Sequence, residues 1–214
     1  MSKPTLYGYA IATYVRTARI ALIEKGVDYD LEPIKLGSPE HLRLHPFGKM
    51  PVLRHDDAVL YETLAICLYV DDVFDGPALQ PSDSLARARM CQWISVISDY
   101  VYAQMVNNLA RQYFIVPLRG GEPDMKLVTE SLPAVKQQID LIEETLAAHP
   151  YLAGETYSLA DMFLEPILYW VARTPEGAGM LAGREAIGRW RAALAARPAI
   201  AATVPPPVSI PENR

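Results

Sequence analysis

Apolar positions along the first eighty residues switch between two periods. Thr5 to Tyr9 is a short strand-forming run. From Tyr14 to Lys25 the apolar residues, Val15, Ala18 and Leu22 among them, return every three or four positions, which predicts a helix that Gly26 stops. Val27 to Ile34 alternates apolar and polar at period two, a second strand. With a helix between them the two strands run parallel and the crossover is right-handed. Ser38 followed by Pro39 is a cap and first-turn pair that opens a short helix. "MPVLRH" and "AVLY" then flank Asp56-Asp57, a hairpin signal, and Thr63 begins a helix with Ile66, Tyr69, Val70 and Val73 on its apolar face.

This β-α-β-α-β-β-α pattern ends near Gly76, so residues 1–76 form an α/β domain. "DGPALQPSDS" follows, and its prolines, glycine and polar caps read as a linker over residues 77–84. Residues 85–203 show almost no strand pattern and predict an all-helical domain. Leu85 to Leu109 is one long helical stretch. Met125, Val128, Leu132, Val135, Ile139, Ile142 and Leu146 recur at steps of three and four, a helix buried along one stripe. Pro133 inside that stripe predicts a kink or a late start. Gly183 to Pro198 is a further helix closed by proline. The tail, residues 204–214, is too proline-rich for a helix or a central strand and is expected to be extended on the surface.

Composition narrows the function classes. With 214 residues, 50% hydrophobic and 21% charged, the chain has enough apolar surface for two small cores. A net charge of −5 without a Lys/Arg block argues against nucleic acid. Cys67 and Cys91 stand in no metal-ligand spacing, so no metal site is expected, and each reads as a small buried hydrophobe rather than a nucleophile or a disulfide half. No signal-peptide pattern and no membrane-length apolar run is visible, which points to a cytoplasmic location and no membrane partner.

Three stretches carry candidate chemistry. In "HPFGKMPVL", His45 to Leu53, a proline that opens a strand before a hairpin is either an edge-strand proline or a cis one. A cis Met50-Pro51 bond would turn the Met50 amide and carbonyl away from the sheet, free to pair with an extended peptide-like ligand. In "YETLA", Tyr61 to Ala65, Thr63 reads as a helix N-cap whose hydroxyl and first-turn N–H groups suit a carboxylate, and Glu62 beside it suits an ammonium; the same pattern also describes a plain capped helix. In "YSLADMFLEPIL", Ser158 and Asp161 have the spacing of a capping box and read as structural.

Taken in order, these stretches resemble the cytosolic glutathione transferase family over nearly the whole chain. "HPFGKMPVL" resembles that family's N-P-x-G-x-[VI]-P-x-L segment, "YETLAICLYV" its E-[ST]-x-A-I-x-x-Y-[LV] segment, and "YLAGETYSLADMFL" its helix-capping motif. The resemblance implies a thioredoxin-like N-terminal domain followed by an all-α domain, with glutathione as co-substrate, no permanently bound cofactor and a homodimeric assembly. It implies that the Met50 backbone, next to Pro51, pairs with the cysteinyl part of glutathione. Glu62 and Thr63 would hold the γ-glutamyl end, and Lys49 the glycine carboxylate. The N-terminus is similar to bacterial-type, serine-type members, but Ala12 stands where those carry the catalytic side chain. An alanine neither donates to a thiolate nor forms a mixed disulfide. The thiol activator is therefore expected to be the Thr13 hydroxyl with the first amides of its helix, with Tyr7 and Tyr9, which alternation sends the same way, as alternatives. A hydrophobic electrophile would lie against the first helix of the helical domain, where Tyr102, Met105, Val106, Leu109 and Tyr113 offer an apolar wall and Arg111 a polar point. Two rivals stay open: glutathione-dependent isomerisation or reductive cleavage, and a non-catalytic glutathione-binding module that the alanine at position 12 allows.

Overall fold

The computed structural model describes residues 2–207, and the chain separates into two compact units. The first comprises Met1–Gln80 together with Ala195–Pro206; the second comprises Pro81–Leu194.

The first unit holds a four-stranded sheet of order β2-β1-β3-β4. Its strands are β1 (Thr5–Tyr7), β2 (Asp30–Glu32), β3 (Val52–His55) and β4 (Ala58–Tyr61). β1 runs parallel to β2 and antiparallel to β3, and β3 and β4 form the hairpin over Asp56-Asp57. The register puts Leu31, Leu6, Leu53 and Leu60 in one row across all four strands, an apolar row on a single face. Helix α1 (Thr13–Glu24) packs on β1 and on α3 (Thr63–Val73), burying Val15, Ala18, Ile20, Ala21 and Leu22. The short α2 (Pro39–Leu44) starts at Ser38, whose Oγ accepts the His41 N–H at 3.1 Å. The second strand is shorter than its alternation predicts, covering only three residues.

Gly8 makes the β1–α1 joint possible. Its φ is +155°, and a Cβ there would lie 2.4 Å from Val15 Cγ2, so the close approach of α1 admits no side chain.

Half of the expected linker is fastened down. Lys25 Nζ reaches Asp71 Oδ1 at 3.1 Å and the Pro77 carbonyl at 3.2 Å, while Asp71 also accepts from the Leu79 N–H at 2.9 Å and from Gln80 Nε2 at 3.1 Å. Both charged side chains are buried, which is why residues 77–80 stay with the first unit despite a loop-like composition. A Cβ on Gly76 would come within 3.1 Å of the Lys25 backbone, so the chain turns there only as glycine.

The expected helical domain also ends earlier than residue 203. Helix α10 (Pro198–Ala202) belongs to the first unit, and three arginines explain why. Arg197 binds both carboxylate oxygens of Glu24 at 2.7 Å. Arg16 donates to Thr203 Oγ1 and the Ile200 carbonyl, and Arg19 to the Ala202 carbonyl. In the tail, Val204 to Pro207 are neither helix nor strand and Pro205 is buried; residues 208–214 lie outside the described residues.

The second unit is helical. Its long first stretch runs as α4 (Ser84–Val96), a π-helical segment π1 (Ile97–Ala110) and α5 (Arg111–Leu118), followed by α6 (Met125–Ala148), α7 (Leu159–Val171), α8 (Pro175–Leu181) and α9 (Glu185–Ala195). α7 buries every residue except Glu165 and Tyr169, as the central helix of a core must. Of the stripe on α6, Val128, Val135, Ile139, Ile142 and Leu146 are buried, but Met125 is 46% exposed, Leu132 is only half-buried, and Ser131 joins the buried side by donating its hydroxyl to the Val128 carbonyl at 2.7 Å. The helix starts at Met125 and continues through the exposed Pro133, so the late start does not occur. α8 was not foreseen, although Thr174-Pro175 repeats the Ser38-Pro39 signal and Thr174 Oγ1 accepts the Gly177 N–H at 3.1 Å. Cys67 is buried as expected, with its thiol pushed far up by burial, but Cys91 is exposed because it falls on the outer face of α4. Among the described residues, no helix is long and apolar enough to cross a membrane.

Candidate active site

The sheet register gathers most of the candidate residues at one end of the first unit. Tyr7 pairs with Val52, and Val52 with Tyr61. β1 leaves the sheet at this row, β3 enters at it and β4 leaves at it. Gly8 to Thr13, Lys49 to Pro51, and Glu62 with Thr63 therefore border the same end of the sheet. Two of them belong to the stretches singled out from sequence, and the other holds the Ala12–Thr13 joint that the resemblance pointed to.

At the first, Ala12 is the N-cap of α1 and supplies no side-chain cap, so the first-turn amides are left to other partners. Thr13 is the first helical residue and is 6% exposed. Only Tyr7 belongs to β1, which ends there; Tyr9 lies beyond Gly8, outside the strand. Tyr9 donates its hydroxyl to the Ile34 carbonyl at 2.8 Å, while the Tyr7 ring lies 5.6 Å from the Arg54 guanidinium.

At the second, the Met50-Pro51 bond is cis. Lys49 is exposed, Met50 half-buried and Pro51 buried. Among the described residues the Met50 N–H and carbonyl take part in no backbone hydrogen bond.

At the third, the N-cap of α3 is Glu62 and not Thr63. Thr63 is the first helical residue, and no side chain caps the helix, so its hydroxyl does not do what the sequence predicts. The shift by one residue comes from the backbone of Glu62, at φ +68° and ψ +119°, a region unfavourable for a residue with a side chain. Such a conformation costs on the order of 1–3 kcal/mol and is held only where surrounding structure imposes it. Glu62 is exposed and Thr63 buried.

Two histidines behind the second stretch were not singled out. His41 on α2 and His45, which caps its C-terminal end, are both buried. The His45 ring lies 4.9 Å from that of Tyr61, its Nδ1 has no hydrogen-bond partner among the described residues, and burial holds its pKa below the usual histidine value against the pull of Glu62. The i, i+4 spacing of two histidines beside a helix cap was the available signal.

In the second unit the proposed wall divides. Met105 and Leu109 are fully buried and, with Val101 at the same i, i+4 spacing, lie on one helix face. They are core, not wall. Tyr102 and Val106 are half-buried and Arg111 is exposed. Tyr113 donates its hydroxyl to Glu176 Oε1 at 2.7 Å, and burial together with that carboxylate pushes its pKa up to about 12.

The capping box at the head of α7 is formed, and it is more than a cap. Asp161 is fully buried and accepts from the Ser158 N–H (3.0 Å), the Ser158 hydroxyl (3.2 Å), the Leu152 N–H (3.1 Å) and the Trp190 indole N–H (2.8 Å).

Known proteins match this arrangement along its length. Residues 6–78 match the model of the glutathione S-transferase N-terminal domain, and residues 106–198 that of the glutathione S-transferase C-terminal domain. Glutathione S-transferase 3 of Zea mays is 33% identical over 221 residues, covering 98% of this chain and 99% of its own. Among solved structures, a glutathione S-transferase III in apo form is 32% identical with a TM-score of 0.86, covering 100% of this chain and 99% of that one. Glutathione S-transferase I from maize, in complex with an atrazine glutathione conjugate, is 31% identical with a TM-score of 0.84, covering 94% of this chain and 96% of that one. With both halves matched and the likeness running nearly end to end, this chain belongs to the glutathione S-transferase family.

Proposed function

We propose that the chain is a glutathione transferase that joins the glutathione sulfur to an electrophilic carbon of a hydrophobic co-substrate. The observation that carries this reading is the match of both halves to glutathione S-transferase domains together with an end-to-end likeness to a named transferase. In the reaction the bound thiol gives up its proton, the thiolate forms the C–S bond, and the leaving group departs with its electron pair. One similar structure holds an atrazine glutathione conjugate, which supports the electrophile class.

In this reading the first unit, residues 2–80 with 195–206, is the glutathione-binding domain, and the second, residues 81–194, is the helical domain. In the first, Lys49 faces the glycine carboxylate, the Met50 backbone beside Pro51 pairs with the cysteinyl unit, and Glu62 with the first amides of α3 takes the γ-glutamyl head group. The sulfur then meets the Ala12–Thr13 joint. Thr13 is the activating side chain in this reading, aided by the α1 amides. The commitment of the Tyr9 hydroxyl to Ile34 counts against that alternative. Tyr102, Val106 and Arg111 are the wall residues with exposed surface to offer an electrophile, and Tyr113 contributes a neutral phenol. The N-terminus is serine-type-like with its side chain cut back to Ala12. Its bacterial-type likeness rests on that stretch alone, since the relative reported above is from a plant. The working form is a cytoplasmic homodimer without a resident cofactor.

Ala12 favours one second reading, a module that holds glutathione without activating it. Titration calorimetry with glutathione and mass detection of a conjugate with a halogenated nitroarene separate the two. Binding with conjugate formation supports the transferase, binding without any conjugate supports the module, and no binding overturns both.

A further inference from the structure

Behind the Met50 stretch, His41 is fully buried and bonded at both ring nitrogens. The Gly37 N–H donates to Nδ1 at 3.0 Å, which makes Nδ1 the acceptor and leaves the ring proton on Nε2. Nε2 then donates to the Lys49 carbonyl at 2.8 Å. The main chain of His41 is fixed as well: its N–H goes to Ser38 Oγ at 3.1 Å, and its carbonyl accepts from the His45 N–H at 2.8 Å.

The Lys49 carbonyl and the Met50 N–H belong to one planar trans peptide, so the N–H points opposite to the carbonyl. A side chain that holds the carbonyl therefore aims the N–H. We infer that His41 is a positioning residue for glutathione: by anchoring the Lys49 carbonyl from the buried side it fixes the direction in which Met50 presents its N–H. This rests on the reading that the Met50 backbone pairs with glutathione. His41 touches no substrate atom. It acts by removing the rotational freedom of the Lys49–Met50 peptide before the ligand arrives, so its contribution appears in ligand affinity.

Two polar substitutions separate the two ring bonds. His41→Gln places an amide donor within reach of the Lys49 carbonyl. His41→Asn, one carbon shorter, keeps at most the Gly37 contact. Ser38→Ala removes the helix cap but leaves both imidazole bonds in place, and serves as the structural control. Glutathione affinity is measured by titration calorimetry on each full-length variant, with circular dichroism confirming the fold, and initial rates give KM for glutathione and for a nitroarene electrophile. The expected result is a glutathione Kd and KM raised about tenfold in His41→Asn, within about threefold of wild type in His41→Gln, and unchanged in Ser38→Ala, with kcat and the electrophile KM held. Equal affinity in His41→Asn and wild type overturns the inference, as does an equal loss in Ser38→Ala. A wild-type protein that does not bind glutathione overturns the underlying reading and the inference with it.

Discussion

Replacing Asp161 with alanine distinguishes a helix cap from a buried hub. A lost cap costs about 1 kcal/mol. Here the carboxylate also holds the Leu152 N–H and the Trp190 indole, and with the Ser158 N–H that leaves three fixed donors without a partner in a fully buried site. At about 1–3 kcal/mol for each stranded donor, the loss is roughly 3–6 kcal/mol after partial relaxation. The group also carries a pH signature. Burial raises its pKa from 3.8 to about 6, against the four donors that pull it down. Because the folded value lies above the unfolded one, the wild-type contribution is fully present below 3.8 and is lost as pH rises through about 6. Linkage with those two values removes about 1.4 kcal/mol of wild-type stability between pH 5 and pH 8, and the alanine variant lacks this dependence. The gap between the two proteins therefore narrows as pH rises. All three tryptophans, Trp93, Trp170 and Trp190, lie in the second unit, so denaturant unfolding followed by tryptophan fluorescence reports on the relevant core. A gap near 1 kcal/mol at both pH values, or one that widens with pH, would refute the reasoning.

Three further outcomes follow from the same structure. Lys25→Met leaves the Asp71 carboxylate buried without its cation and should destabilise the first unit by about 3 kcal/mol, whereas Lys25→Met with Asp71→Leu should recover most of that loss; equilibrium unfolding followed by circular dichroism decides, and no recovery in the double variant would contradict the account. Gly8→Ala drives a Cβ against Val15 and should cost about 2 kcal/mol, with partial rescue when Val15→Ala is added; thermal melts of the single and double variants check it. Glu62→Gln should raise the glutathione KM about tenfold with little change in the melting temperature, since Glu62 is exposed and supplies charge rather than packing; an unchanged KM removes it from the site.

What the sequence made legible follows the range of the interactions involved. The β-α-β-α-β-β-α order, the Ser38-Pro39 helix start, the Asp56-Asp57 turn and the stripe on α6 are local, and period and turn chemistry carry them. Tertiary partners decided the rest. Residues 77–80 read as a linker because nothing nearby shows that Lys25, some fifty positions earlier, will meet Asp71 under them. α10 read as the end of the helical domain because its anchors, Arg16 and Glu24, lie at the other end of the chain. Met105 reads as wall because an apolar stripe does not say which of its residues face the core; the packing of α6 and α7 on this segment, which buries Val101, Met105 and Leu109, decides it. At the site, the stretches were readable and the side-chain roles were not. Thr63 yielded the N-cap to Glu62 through a backbone conformation that no propensity favours, and the hold of His41 on Lys49 depends on a ring eight residues upstream.

The most direct test of the central claim is an ultraviolet difference titration of the protein with glutathione across pH, following thiolate absorbance, on the wild type and on Thr13→Val. A free thiol titrates near 8.5. Bound glutathione is expected to ionise well below that value in the wild type, although Ala12 offers no donor, and Thr13→Val to move the ionisation back towards the free value. Tight binding with no lowering in the wild type would contradict it and leave a fold that holds glutathione without activating it. A lowered value that Thr13→Val does not change would remove the threonine hydroxyl and leave the helix amides as the activating group.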